Sequence, residues 1–484
     1  MTPRDVLREL LATGPGKAGL GLLALLFAIA LYALAVFPLD FGAQRWSNPA
    51  VWADNPRSAP PVWTGLLRSG RSMRHAVLET DTPAEVAGAT RTYRLRLDFE
   101  ADEPPTFLTV AVAGVTYHAR PPLLEVVVRR PDGTSALLAR PQVPGPRPGE
   151  AAPYERLGDE PLRVVLTSGE RPSTALRELF ADAYGADVPA AVLRDALARA
   201  LVSVPEPGAP DGLRLLRGAY DLELRATFED PRDTLGSVRF VAGGTRFGLM
   251  GTDSLGRDLA QGLLFGLPIA LFIGITASIA STAIGATLGI VSGYMGGKTD
   301  LVIQRLADIV ANVPLLPLLI FLVFVVGSHL LLIILFLVAF SWPGLTILVR
   351  SMVLQLRTGQ LVESAVVLGA SRWRIMYRHV FPHTAPYILA QMIFFAPAAI
   401  LAEAGLSFLG LGDPSVVTWG QILESGFRTG AVFLGWWWWV IPPGVLIVIT
   451  ALTFMLLALG LEPVVNPRLR SGAPAGYSGL GASR

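Results

Sequence analysis

Residues 292–299 read SGYMGGKT, one position short of the phosphate-binding pattern GxxxxGK followed by Ser or Thr. In such a loop backbone amides converge on a phosphate between a strand and a soluble helix. Here Ser292 stands in place of the first glycine and an apolar run precedes it. The stretch therefore reads as a tight turn, with Lys298 as an anchor at a membrane face. His75 and His118 stand isolated, and each reads as a surface or packed histidine rather than a metal ligand. Cysteine is absent, which excludes disulfides, thiol catalysis and cysteine metal sites. No nucleophile elbow and no HExxH pair occurs. Glu403 ends a long apolar run, where a carboxylate is expensive and is a candidate for lining a solute path. The plainer reading is a headgroup-level residue hydrogen-bonded within a helix bundle. Asp300 and Asp308, near Arg305, read as structural ion pairs. No catalytic set, metal site or cofactor loop emerges from these residues.

The elements that must hold these residues are unusually apolar. Charged residues make up 16% of the chain, against about 25% in a soluble protein, and the deficit is concentrated in 262–350 and 384–461. A helix crosses hydrocarbon with about 20 apolar residues. Runs of that kind lie at 18–37, 266–292, 309–327, 330–349, 386–405 and 440–461. The first follows Arg4, Arg8 and Lys17 as a signal peptide would, but it is longer and lacks a cleavage site, so an uncleaved anchor is expected. Pro314, Pro317, Pro397, Pro442 and Pro443 lie in or near the runs, and the carbonyls they free call for a packed bundle. With the N-terminus inside, Arg4, Arg8, Lys17, Lys298, Arg305, Arg350, Arg357, Arg372, Arg374, Arg378, Arg468, Arg470 and Arg484 all face inward. The short outer segments then hold only Arg428. Basic residues favour the inner side, so both termini are expected in the cytoplasm. Tryptophans 436–439 then fall at the outer interface as an aromatic belt. A net charge of +2 gives no footing for nucleic acid.

Between the first two runs, 40–245 has the composition of a soluble domain on the outer side. Strand-like alternation shows at Tyr93, Leu95, Leu97 and Phe99, and again in 123–130, 162–167 and 220–228. A proline-rich break occupies 141–153. Ser173 is placed to cap a helix reaching Tyr184, and Pro189 to open a second one to Val202, with Leu193, Leu197 and Leu201 on one face. About 200 residues suffice for an independent core, so a β-rich domain with a small helical insertion is expected.

Residues 363–382 read ESAVVLGASRWRIMYRHVFP. A helix-competent stretch from Val353 to Leu368 meets Gly369, whose backbone freedom suits a turn, and a second helix follows to a break at Pro382. The segment resembles the EAA loop of permeases in binding-protein-dependent ABC importers: E-A-A, three residues, G, nine residues, then I-x-L-P. Glu363, Ser364, Ala365, Gly369, His379, Phe381 and Pro382 hold that spacing, with Ser364 for an alanine, His379 as in the peptide branch, and Phe381 for leucine. GTDSLGRD at 251–258, GYMGGKTD at 293–300 and EAGLSFLGLGDPSVVTWGQIL at 403–423 resemble the dipeptide, oligopeptide and nickel permeases, on the second-permease or C-type branch. A weaker match covers the first run and 46–61.

This resemblance implies an all-α polytopic membrane protein of six transmembrane helices, the type I ABC importer permease fold, interrupted by the β-rich extracytoplasmic insert. Its parts are the tail and first helix at 1–39, the insert at 40–245, and a five-helix core at 246–465 with its coupling loop at 351–385. A cytoplasmic tail follows at 466–484. It further implies a bacterial inner-membrane location, surrounding lipid, a second homologous permease subunit, two cytoplasmic ATP-binding subunits and an external solute-binding protein. The solute is a peptide or a similar small molecule, nickel complexes among them. Glu363, Ser364, Ala365, Gly369, His379, Phe381 and Pro382 become the ATPase-coupling residues, and Glu403 a residue of the translocation path. A membrane-anchored receptor or enzyme working through 40–245 is the rival, but it would need one anchor and a visible catalytic set. An ion-coupled transporter would place charges in mid-span, where few occur.

Overall fold

Helix α1 (Gly14–Val36) starts where the Thr13 hydroxyl accepts a bond from the Gly16 amide, and stops at Phe37, before Pro38. The computed structural model describes Arg8 and residues 10–67, 70–158 and 160–462. Arg4, Arg468, Arg470, Arg484 and the tail 466–484 lie outside the described residues. The chain forms two compact units: Pro49–Ala260, and Met1–Asn48 together with Gln261–Arg484.

The unit Pro49–Ala260 is a β-sandwich. Its strands are β1 (Ala76–Thr80), β2 (Glu85–Ala87), β3 (Thr90–Phe99), β4 (Leu108–Tyr117), β5 (Leu123–Arg129) and β6 (Ser135–Ala139). They continue with β7 (Tyr154–Arg156), β8 (Leu162–Val165), β9 (Ser203–Pro205), β10 (Leu213–Leu215), β11 (Gly218–Thr227) and β12 (Thr234–Ala242). One sheet runs β1-β12-β4-β7 with β8 also on β4, the other β2-β3-β11-β5-β6. Alternation decides which residues face in. Tyr93, Leu97 and Phe99 of β3 and Tyr220, Leu222 and Leu224 of β11 share a core with Val110, Val112 and Phe240 of the other sheet. On the opposite face of β11, Glu223 is fully buried beneath Arg94, Arg129 and Arg225, each 2.9 Å from it.

Three short helices cover this core: α2 (Glu170–Tyr184), α3 (Ala190–Asp195) and α4 (Leu197–Leu201). Leu193, Leu197 and Leu201 are buried together as their spacing requires. Two expectations need correction. Ser173 does not cap α2. The helix begins three residues earlier after Gly169, and the Ser173 hydroxyl donates back to the Glu170 carbonyl. The helix opened by Pro189 breaks at Ala196, which leaves helical angles (φ −124°, ψ 35°).

The ends of this unit are tied to each other. The Thr252 hydroxyl donates to the Pro56 carbonyl and accepts from the Ala59 amide, and the Val62 amide donates to the Gly248 carbonyl. Asp253, fully buried, accepts amides of Leu255 and Arg257 and pairs with the Arg257 guanidinium. Asn55 donates to the Gly256 carbonyl. A side chain at position 256 would meet the Trp52 and Asn55 carbonyls at 3.0 and 3.1 Å, at a φ of +82°. The segments 52–62 and 248–257, separated by the whole domain in sequence, thus join in space.

The remaining helices are α5 (Leu259–Met295), α6 (Gly297–Asn312), α7 (Leu315–Val326), α8 (Leu330–Arg357), α9 (Gln360–Val367), α10 (Arg372–Phe408), α11 (Trp419–Arg428) and α12 (Trp437–Gly460). Helices α1, α5, α8, α10 and α12 are long and apolar enough to cross a membrane. The run at 309–327 is a bent pair instead: α6 and α7 meet at 80°. Val313 turns extended (ψ 126°) ahead of Pro314, as the residue before a proline must. The 12 residues of α7 reach only about 18 Å, short of the ~30 Å hydrocarbon core.

Small residues let these helices touch. On α5, side chains at Gly285, Gly289 and Gly293 would meet the α8 carbonyls of Trp342, Thr346 and Arg350 at 2.8–2.9 Å. The Thr346 hydroxyl also bonds the Gly285 carbonyl at 3.1 Å. Close backbone approach through such stripes supplies the packing that lipid does not. Gly19 of α1 fits against Leu457 of α12 in the same manner. The tryptophan belt is only partly a belt. Trp438 and Trp439 are buried in the bundle, and the Trp439 indole donates to the Ile422 carbonyl at 3.1 Å.

Candidate functional site

Helix α9 ends in a Schellman turn. The Ala370 amide reaches the Ala365 carbonyl and the Gly369 amide the Val366 carbonyl, both at 3.0 Å. Gly369 sits at φ +77° with open space around it, so the backbone angle, not crowding, demands glycine. Ser371 then caps α10 by accepting from the Arg374 amide. The expected break at Pro382 does not occur, and α10 runs through it to Phe408. A π-turn at Met376–Val380 shifts the hydrogen-bond register just ahead of the proline, which accommodates its ring and missing N–H.

The coupling candidates divide among three places. Ser364, Ala365 and His379 line one 570 Å³ cleft with Leu368 and Ala370. Glu363 lines another, of 260 Å³, with Tyr294, Met295, Arg357 and Arg372. Phe381 and Pro382 are exposed on α10 outside both. The exposed rim of α9 is apolar: Val367 and Leu368 are more than four-fifths accessible. Its inner side is firmly held. Val362 and Ala365 share a core with Tyr294 of α5, Val349 and Val353 of α8, and Ile375, Met376 and Val380 of α10. The base of α9 is thus packed against three long helices.

Next to that core, Arg350 clamps Asp300 through two bonds of 2.5 and 2.6 Å. Ser292 donates to the same carboxylate at 2.5 Å and Gln304 to Ser292 at 3.1 Å. The network ties α5, α6 and α8 together. Asp300 is thus a structural ion pair as expected, though its partner is Arg350, and Asp308 lies 3.6 Å from Arg305.

At the other ends of the helices, 403–421 acts as a latch. Glu403 is buried and accepts from the Ser407 hydroxyl at 2.6 Å. That bond ties its carboxylate to the next turn of α10. Asp413 accepts the Leu330 amide at 2.9 Å and so caps α8. Burial alone would raise its pKa, but bonds from Ser415 and that amide hold its carboxyl below the usual range. Ser328 donates to the Leu411 and Gly412 carbonyls, and the Trp419 indole to the Leu263 carbonyl of α5 at 2.9 Å. The roles of Asp413, Ser328 and Trp419 leave no local signal in the sequence, because their partners lie 83 to 156 residues away.

His118 is not isolated, contrary to expectation. Its ring and Asp233 are 3.0 Å apart, and Asp230 lies close enough to complete a three-residue group. The group is internally satisfied. Asp233 accepts the His118 and Asp230 amides, and Asp230 is held by Arg232. It fastens the β11–β12 turn. His75 packs edge-on against Phe247.

Residues 285–471 match the family described as binding-protein-dependent transport system inner membrane component. The dipeptide transport system permease protein DppC of Bacillus subtilis is 36% identical over 46% of this chain and 68% of its own length. The oligopeptide transport system permease protein OppC of the same organism is 35% identical over 46% and 72%. The chain belongs to this permease family. A glutathione transport system permease protein of Pectobacterium atrosepticum is 35% identical over 46% of this chain and 73% of that one. The match reaches 64% of the dipeptide permease of Lactococcus lactis, just under two thirds. Membership of the permease family makes the chain a multi-pass inner-membrane protein of a transport system with partner subunits. It is a transport component, not an enzyme, and the anchored-receptor or enzyme reading is not favoured.

Proposed function

We propose that this permease is one of two homologous transmembrane subunits of an importer for peptides or similar small solutes. Two cytoplasmic ATPase subunits drive it, and an external solute-binding protein feeds it. The observation that carries the reading is the α9–Gly369–α10 element, apolar at its rim and packed at its base into α5, α8 and α10. Glu363, Ser364, Ala365, Gly369 and His379 shape the face offered to the ATPase, while Phe381 and Pro382 lead from that face into the span. When the ATPases close on ATP, α9 is carried with them. Its shared core passes the displacement to the long helices, and the path at the subunit interface changes side. The latch around Glu403 and Asp413 keeps the far ends of α5, α8, α10 and α12 together meanwhile, so helices tilt as a set. Basic residues on the α9 side favour its placement in the cytoplasm.

Reconstitution with a second permease, ATPase subunits and a solute-binding protein tests the reading. ATP-dependent peptide uptake that requires all components, and that Glu363→Arg lowers without loss of membrane insertion, is the expected result. Uptake by the two permeases without ATPase would refute it.

A further inference from the structure

The first turns of α10 carry residues that the coupling face does not use. Trp373, Tyr377 and Phe381 are 66, 78 and 41% exposed. They recur every four residues, and the Tyr377 and Phe381 rings lie parallel, 6.2 Å apart. The π-turn at Met376–Val380 widens the helix there, which keeps the three rings in one row. Arg374 and Arg378 are exposed beside that row, and among the described residues neither guanidinium has an ion-pair partner. The opposite face, Ile375, Met376 and Val380, is sealed into the core. His379 turns toward the cleft lined by Ser364 and Ala365. The row is therefore separate from the coupling face, and the helix cannot rotate to hide it.

Three aromatic rings exposed in one row mark an interaction surface. The same helix enters an apolar span without interruption, and no charged residue occurs from Val380 to Ala402. Phe381 thus lies just inside the hydrocarbon edge, with Tyr377 one turn nearer the headgroups. Aromatic rings at that depth, with long basic side chains beside them, suit the headgroup zone. The two unpaired guanidinium groups call for anions at the same depth. We infer that the start of α10 is a binding site for the anionic phospholipid headgroups of the adjoining leaflet. Tyr377 and Phe381 lie among the upper acyl chains, and Arg374 and Arg378 take the phosphates. The coupling element is then fixed in depth by lipid on one face while its other face remains free for a motor. The inference rests on the membrane-spanning reading and not on the ATPase.

The chain has no cysteine, so single-cysteine variants can be labelled without background. Tyr377→Cys and, as a reference on the coupling cleft, Leu361→Cys are labelled with a nitroxide. Each permease is placed alone in phosphatidylglycerol nanodiscs. At 377 relaxation by lipid-soluble oxygen should exceed that by a water-soluble nickel chelate, with the reverse at 361. Nickel-dominated relaxation at 377 would overturn the inference, as would a label freed of nickel only when ATPase subunits are added. Native mass spectrometry of the unlabelled chain tests the charge. Retained phosphatidylglycerol, relative to phosphatidylcholine, should fall about fivefold for each arginine removed in Arg374→Gln and Arg378→Gln. Unchanged retention in the double variant overturns the headgroup assignment. Loss of coupling in the assembled importer with both lipid readouts intact would count against the ATPase reading alone.

Discussion

Gly369 is the residue on which the coupling element turns. Its φ of +77° costs a β-branched residue about 1–2 kcal/mol, while asparagine tolerates the left-handed region far better. Gly369→Val should therefore lower ATP-driven uptake severalfold with normal membrane insertion, and Gly369→Asn should retain most of it. Equal loss in both, measured in the same proteoliposomes, would mean that the position matters for something other than its backbone angle. The sequence was informative here because a glycine between two helix-competent stretches has few other uses. It was silent about Asp413 and about His118 with Asp233, since hydrogen bonds across 83 and 115 residues leave no local pattern.

At the scale of elements, the legible strands were those with one wet face. β3 and β11 alternate and were marked, whereas β4, buried through its first five residues, offers no alternation and passed unnoticed. Pro382 misled in the opposite direction, because a π-turn absorbs what would otherwise end a helix. The sandwich also carries a pH dependence. Bonds from Arg156 hold the Glu150 carboxyl down to about 2. Asp132 is lowered despite burial by bonds from Thr134 and Tyr184, and Glu223, despite burial, by Arg225 and Arg94. Depressed carboxylates bind protons more readily in the unfolded chain, so their stabilisation is complete above the ordinary glutamate value of 4.5 and is lost as pH falls toward about 2. Protease susceptibility of the sandwich in the intact chain should rise across that window. A flat profile would show that these ion pairs contribute no net stability.

For the whole molecule, the span count is nearly readable because lipid sets the same minimum apolar length, about 20 residues, for every spanning helix. The bend between α6 and α7 is not, as hydropathy carries no direction. Side of membrane is a separate matter that charge alone suggests. A reporter inserted near residue 150 should be found outside the cell membrane, and one near 370 inside. The opposite pattern would reverse the assignment of α9 to the cytoplasm and remove the basis for ATPase docking.

The strands of chain that enter and leave the sandwich run side by side, with Val62 bonded to Gly248 and Ala59 to Thr252. That geometry is a splice point. A gene lacking the codons for 65–245, with a glycine-containing turn in their place, would still encode the paired segments that lead into α5. An ancestor could have gained the domain, or a descendant shed it, in a single recombination event without cutting any of the long apolar helices. Such a shortened permease should insert and assemble as the full chain does; failure to insert would mean the sandwich is a folding requirement rather than a module.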